Sequence, residues 1–584
     1  MPFASRNHLT SGSVSRMAAK APRSVLPLIL RAGIAALWLS LGTVPVQADR
    51  DPVSVPARSI AAGRVIYDLG ILPDGSPLRG AQATGAVLVG SPAACASCHR
   101  RSGYGASEGS ILVPPISWGV LSSPGPHFVT PGATPTGATA SMSWNRALTR
   151  SPYAASSLAR ALREGLDPDG DALMPPMPRY ELSEEAFASL LAFLQRLSAV
   201  SSPGISPEAL HLATVVTPDA PPGAEPAVLG VLRAWAAGQP TEFPWRLQEW
   251  RLHGSPETWE AQLDERYRQQ PVFALLSGVG GAQWSPIHRF CEREGVACVL
   301  PSLEVLPEQA GRETDSYSLY FSPGLDLESE LLARHFQSLA AEDGHQTRIV
   351  QIYADASGKH AAESLGRLAN GFASEVRERR LRPIAPGGAL AGVSGADILV
   401  LWLRPPELAS IVAQAPQGPP AERVFLSAML APAKELSLPP AWRARVIYVS
   451  LFDDWSPQSA YSRTWLAGWL DRAGLPRMGD LRLQADAYGA CYFFTRAFAE
   501  MQKGRLLWRG ENLTRPYLLE RLESTVAKNT GDPLNLNAWA PFYWRLSLAP
   551  GQRIAARGGH LLRYVSPESE TLVPLDAREF QRGD

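Results

Sequence analysis

Residues 271–301 read PVFALLSGVGGAQWSPIHRFCEREGVACVLP. Pro271 to Ser277 is an apolar run that reads as a strand, the glycines at 278, 280 and 281 make a turn, Ser285 to Glu294 carries helix periodicity, and Val296 to Leu300 is a second strand. The same alternation continues downstream. Thr347 to Tyr353 leads into a helix from Gly358 to Glu375, Asp397 to Leu403 into Glu407 to Ala415, and Val446 to Phe452 into Ala460 to Ala473. A longer helix, Gln484 to Lys503, carries Tyr488, Cys491, Phe494 and Phe498. Strands alternating with helices predict a parallel sheet covered on both faces. The segment from 208 to 560 exceeds what one core comfortably serves, so two α/β, Rossmann-like lobes are expected, with 561–584 as a C-terminal extension.

Upstream of these lobes the sequence changes character. The stretch Ser201-Ser202-Pro203-Gly204-Ile205-Ser206-Pro207 marks a linker, and residues 49–200 form a separate unit. Its opening helix, Ser59 to Leu69, carries Ile60, Val65, Ile66 and Leu69 and stops at Gly70. Its closing helix has Ser183 as N-cap, Glu184 and Glu185 at the positive end of the dipole, and Phe187, Leu190, Leu191 and Leu194 on one face. Gly63 leaves a gap on the opening helix into which Phe193 of the closing helix can approach. Residues 1–48 read as an export signal, with Arg16, Lys20, Arg23 and Arg31 ahead of the apolar run Ala32 to Val44 and Val46-Gln47-Ala48 at the cleavage point. That run is shorter than the roughly 20 residues a membrane span needs, so a periplasmic product without a membrane span is expected. Lys plus Arg and Asp plus Glu both total 55, so no global field favours nucleic acid.

The chemistry concentrates at Cys95-Ala96-Ser97-Cys98-His99. Two thiols one helical turn apart can add to the vinyl groups of a haem while the following imidazole ligates iron, so one covalent haem c is expected at Cys95 and Cys98 with His99 as proximal ligand. A structural zinc pair would need two more ligands, and the first unit holds no other cysteine. Of the three remaining cysteines, Cys291 and Cys298 could pair in an oxidising compartment, and Cys491 reads as a buried thiol.

Residues 58–199 resemble a class I cytochrome c domain through Gly63-Arg64-Val65-Ile66-Tyr67, Cys95 to His99, Ser102-Gly103-Tyr104-Gly105, and Met177-Pro178-Arg179-Tyr180-Glu181-Leu182-Ser183. The resemblance implies an all-α domain with Met177 as distal iron ligand. Met174 also precedes a proline and is the alternative, and His127 is a further rival. The segment Ile71 to Cys95 departs from the family as an insertion that shields the haem edge or docks a partner.

Residues 208–560 resemble the type I periplasmic binding proteins, in particular the branched-chain amino acid and amide binding subgroup. This rests on 271–301 with the Pro301-Ser302 loop, Ile349 to Asp355, and Ala485-Asp486-Ala487-Tyr488-Gly489-Ala490. The resemblance implies a ligand cleft between the lobes formed by the turn Ser277 to Ser285 and the loop Ser302 to Glu304, with Ser277, Gly280, Ser285, Ser302 and Tyr353 as candidate contacts. The amides of Gly278, Gly280 and Gly281 are placed to receive a ligand carboxylate or simply to form a tight turn. Gln283-Trp284 and Leu303-Glu304 stand where the family favours serines and threonines.

The leading expectation is a non-enzymatic periplasmic electron carrier with redox partner proteins, such as an accessory to a periplasmic dehydrogenase, whose binding-protein half senses a ligand or docks a partner. The alternative is the substrate-binding receptor of an ABC importer for a small amino-acid-like or amide-like solute. No nucleophile–base motif, metal cluster or nucleotide loop supports an enzyme subunit.

Overall fold

The computed structural model describes residues 57–108, 111–126, 149–173, 176–239, 244–311, 317–343, 348–381, 388–453, 457–479, 481–507, 512–530, 542–543, 546–575 and 580–581. The expected export signal, His127 and Met174 lie outside the described residues.

The first region is built on a helix pair. Ala57–Leu69 and Glu184–Leu194 pack closely, and a Cβ on Gly63 would collide with the Ser189 carbonyl and the Phe193 Cβ, so only glycine allows the crossing. Gly70 ends the first helix at φ 65°, and the Ser183 hydroxyl caps the second by accepting from Ala186 N–H at 3.1 Å. The expected all-α domain is corrected in part. Arg79–Ala81 and Val87–Val89 form a hairpin that also pairs antiparallel with Arg179–Tyr180. The insertion Ile71 to Cys95 therefore braces the segment that follows Met177. Gly80 lies so tightly under it that a Cβ there would come within 2.9 Å of Pro178 and of the Tyr180 ring.

The remaining chain forms two sheets, each with helices around it. The first has the order Ser302–Leu303, Val279–Gly280, Leu210–Val216, Ala274–Leu276, Ala297–Val299, Ser318–Leu319, with Trp245–Arg251 on Leu210–Val216, and every pairing is parallel. The second has Glu375–Arg380, Arg348–Tyr353, Asp397–Trp402, Arg423–Ser427 and Val446–Ser450 in parallel, then Gly558–Tyr564 and Leu572–Pro574 antiparallel. Residues 561–564 and 572–574, expected as an extension beyond the lobes, are part of this second sheet.

The chain changes lobe three times. It leaves the first sheet after Ser318–Leu319 for the helix Leu325–Asp343, which packs on the second sheet. It returns after Val446–Ser450 to the helix Pro457–Arg472, whose Trp469 meets Trp235 of the first lobe, and it crosses again before Gly558–Tyr564. The three crossings lie side by side, with Tyr543 stacked on Phe321 and tilted against Phe452, and one apolar core runs through both lobes; a hinge between the lobes would act here.

The first region is fastened to the first lobe directly behind His99. Ser102 donates through N–H and hydroxyl to Glu520 at 2.9 and 2.5 Å, Arg100 pairs with Glu523, and the Tyr104 ring meets Tyr517 edge-on at 4.7 Å. Arg515 of the same helix, Arg515–Thr530, donates to the carbonyls of Val272 and Phe273 at 2.8 and 3.0 Å, tying this contact to the first sheet.

Candidate functional site

Two strands of the first lobe bend at the same level. Ala274–Leu276 continues as Val279–Gly280 past Ser277 at φ 55°, and Ala297–Val299 continues as Ser302–Leu303 past Leu300 at φ 52°. Leu276 is registered with Val299, so the two left-handed residues face each other across the ladder. Non-glycine residues hold positive φ only where their surroundings enforce it, and such strain gathers at sites that bind or switch. Here the ladder enforces it: Ser277 N–H donates to Val299 O at 2.8 Å and Ser302 N–H to Gly278 O at 2.9 Å.

Past these bends the carboxyl ends of both sheets meet. Glu304, 2 % exposed, follows the first-lobe strand Ser302–Leu303. Arg404, from the loop after Asp397–Trp402 in the second lobe, takes both of its oxygens at 2.9 Å and reaches Asp355 with Nε at 2.7 Å. The Ser357 hydroxyl donates to Glu304 at 2.6 Å. Burial pulls the Arg404 pKa down, but the hydrogen bonds and charge of Glu304, with Asp355, raise it above its ordinary value. Nearby, Ser302 donates to Asp486 at 2.6 Å and Tyr543 donates to the same oxygen at 3.3 Å. Glu328 of the second lobe accepts from the Ser427 hydroxyl and from Met429 N–H, and burial pushes its pKa up to about 8. The seam thus gathers the buried Glu304, Glu328 and Asp486 and the partly exposed Asp355 around the bidentate Arg404, with the buried Arg482 acting on Glu328, a mixed-charge set that suits a small solute bearing both charges.

The sequence-derived contacts fare unequally. Ser302 lies in the seam. Ser277 is fully buried, with a hydroxyl that has no hydrogen-bond partner among the described residues. Gly280 is covered by Trp284 and Thr217, and Ser285 opens its helix behind them. The glycine turn is not open to a ligand carboxylate: Asp219 already accepts from Ala282 and Gln283 N–H at 2.9 and 3.0 Å, so the anion at this helix end is the protein's own. Tyr353 ends its strand half-buried, and Asp355, two residues on, makes the seam contact instead. Arg404, Asp355 and Asp486 were given no role from sequence. A cation placed one residue past a predicted strand end in the second lobe was the available signal for Arg404.

In the first region, Cys95–His99 is one short helix. Burial is the main cause that raises the Cys95 thiol to about 12, so it is a neutral thiol and a poor thiolate ligand, and among the described residues no group of three His, Cys, Asp or Glu could hold a metal ion. His99 is buried, which lowers its pKa, and its Nδ1 meets Pro114 O at 2.9 Å. A carbonyl only accepts, so Nδ1 carries the proton and Nε2 is the free base. Burial, then the nearby Cys95 and Cys98, raise the Tyr180 pKa. Met177 packs on the apolar cluster that holds Cys95, Tyr67 and Tyr180. Two unbridged thiols on one turn and an oriented imidazole, with a thioether packed on the cluster that holds Cys95, fit a covalently held haem.

Cys291 and Cys298 lie side by side, each fully buried and unbridged, with burial and their mutual hydrogen bond raising the Cys291 pKa. Cys491 is buried, as expected.

No family model matches the chain, and no curated protein matches its sequence. Among solved structures, the chain is similar to a branched-chain amino acid ABC transporter protein from Thermus thermophilus with bound valine (12 % identity, 65 % of this chain, 97 % of that one, TM-score 0.45). It is also similar to a fatty acid ABC transporter substrate-binding protein from Thermomonospora curvata (14 %, 65 % and 94 %, TM-score 0.46) and to an ABC transporter substrate-binding protein from Aeropyrum pernix (13 %, 64 % and 96 %, TM-score 0.44). Electron transfer as the principal role is corrected: the bulk of the chain is a two-lobed α/β fold built on two mainly parallel sheets, not the cytochrome-like first region. No helix among the described residues is long and apolar enough to cross a membrane.

Proposed function

We propose that the two-lobed part is a type I periplasmic binding protein, exported to the periplasm, that acts as the substrate-binding receptor of an ABC importer for a small amino-acid-like solute. The observation that carries this reading is the cross-lobe cluster of Arg404 with Glu304 and Asp355 at the facing carboxyl ends of the sheets. A zwitterion can replace that internal pair group for group, its carboxylate on Arg404 and its ammonium on Glu304 or Asp355. Closure of the hinge then exchanges one set of charge-assisted hydrogen bonds for another, so the buried charges stay compensated. Equilibrium dialysis of the mature protein against a mixture of amino acids and their amides, with mass spectrometry of what is retained, tests it. One solute held at close to one per chain is expected; retention of none refutes the reading.

The first region, in the same proposal, is a class I cytochrome c domain in which Cys95, Cys98, His99 and Met177 would hold one haem c. When bound, this group supplies a one-electron iron couple. The chain's own part is to hold the His99 ring through Pro114 O, to keep water from Cys95 with Ile66, Tyr67 and Tyr180, and to brace the Met177 segment with the Arg79–Val89 hairpin. Pigment that survives acid-acetone extraction is the expected result, and a colourless mature protein would remove the haem from the account.

A further inference from the structure

Behind the Cys95–His99 helix, where the first region meets the helix Arg515–Thr530, lies a cavity of about 650 Å³, within the range of small-molecule sites. Five guanidiniums, Arg64, Arg100, Arg101, Arg196 and Arg553, line it against three carboxylates, Asp68, Glu520 and Glu523. The carboxylates are already engaged. Asp68 pairs with Arg64 at 3.1 Å, and Glu523 is shared between Arg100 and Arg553. Glu520 accepts from the Ser102 N–H and hydroxyl. Arg101 and Arg196 are left exposed, their guanidiniums with no hydrogen-bond or ion-pair partner among the described residues. Burial is the main cause that lowers the Arg553 pKa; Glu523 opposes it, and the charge of Arg101 adds to the lowering, while five guanidiniums against three carboxylates leave the cavity with a surplus of positive charge. Like charges held together around a concave space focus a positive potential, and the natural occupant of such a space is an anion.

We propose that this cavity is a binding site for a small polyvalent anion bearing carboxylate or phosphate groups, gripped by Arg101 and Arg196 with Arg64 at the rim. None of its residues belongs to the seam between the lobes, so the site is separate from the solute site proposed above. Two unpaired guanidiniums demand at least two negative oxygen groups on one molecule, which favours a di- or tricarboxylate or a pyrophosphate over a monoanion.

The test is calorimetric titration of the mature protein at low salt with citrate, inorganic pyrophosphate and acetate as separate arms. Saturable binding of citrate or pyrophosphate, with acetate silent, is expected, and the responding arm tells carboxylate from phosphate recognition. The double variant R101Q/R196Q should lose at least tenfold in affinity while melting at the wild-type temperature without anion, since both side chains are exposed. Arg246→Gln, an exposed arginine elsewhere, should bind as wild type. Absence of saturation with both polyvalent anions, an unchanged affinity in R101Q/R196Q, or an equal loss of binding in Arg246→Gln would each overturn the assignment.

Discussion

Replacing Arg404 with methionine tests whether the two lobes are joined by a compensated buried charge. The guanidinium supplies two hydrogen bonds to Glu304 at 2.9 Å each, and after its removal the Ser357 hydroxyl at 2.6 Å is the side-chain donor left to that carboxylate among the described residues. Stripping the partner from a buried ion pair costs about 3–5 kcal/mol. The Glu304 side chain is 2 % exposed but that of Arg404 is 18 % exposed, so water softens the loss and about 3 kcal/mol is expected. Glu304→Gln removes the charge that needs compensation, so the double variant E304Q/R404M should recover about 2 kcal/mol relative to the sum of the single changes. Urea unfolding of the four proteins, followed by tryptophan fluorescence and by far-ultraviolet circular dichroism, completes the cycle. A coupling under about 0.5 kcal/mol would mean that the pair behaves as a solvated surface bridge, and the reasoning about a sealed seam fails.

Three further outcomes are expected. Burial raises Glu520 from 4.5 to about 7 and Glu328 to about 8, so the folded state keeps these protons longer than the unfolded chain. Their contribution therefore falls as pH rises from about 4.5 to 8; thermal melting at pH 5 and pH 8 should show a smaller loss in Glu520→Gln, whose share is at most about 3 kcal/mol, and an identical loss in both proteins would contradict this. Met177→Ala should leave the pigment covalently attached while abolishing the methionine-to-iron charge-transfer band; persistence of that band would move the distal role to another residue. Gly63→Val should destabilise the first region by more than about 2 kcal/mol in urea, since the Ser189 backbone and Phe193 leave no room for a side chain, and a neutral result would mean that the helix pair is looser than described.

Sequence carried much of the architecture because strong periodicity survives folding. The run at 271–277, the helix at 285–294 and the strand at 296–300 all appear within a few residues of their expected bounds, as does the approach of Phe193 to Gly63. Trp245–Arg251 escaped notice because charged residues interrupt it, as befits a strand with a partner on one side alone. Gly558–Tyr564 was assigned largely to an extension, since nothing local reveals that a distant segment returns to pair antiparallel with Val446–Ser450. The seam was half legible. Ser302 was found by its place after a strand, whereas Asp355, Arg404 and Asp486 come from three separated stretches that only the crossing topology unites. Glu304 ends the loop expected at the cleft, though as a departure from the serines and threonines of the family, and the structure gives that departure its reason: the carboxylate answers Arg404.

The receptor reading turns on whether the Arg404 cluster yields to a solute. Thermal unfolding of the mature protein and of Arg404→Gln across a library of zwitterionic amino acids and amides measures this most directly. At 100 times its dissociation constant a true ligand adds about 2.7 kcal/mol of stability. At least one zwitterion should raise the melting temperature of the wild type by several degrees and leave the variant unmoved. Silence across the library, or an equal rise in Arg404→Gln, would contradict the account.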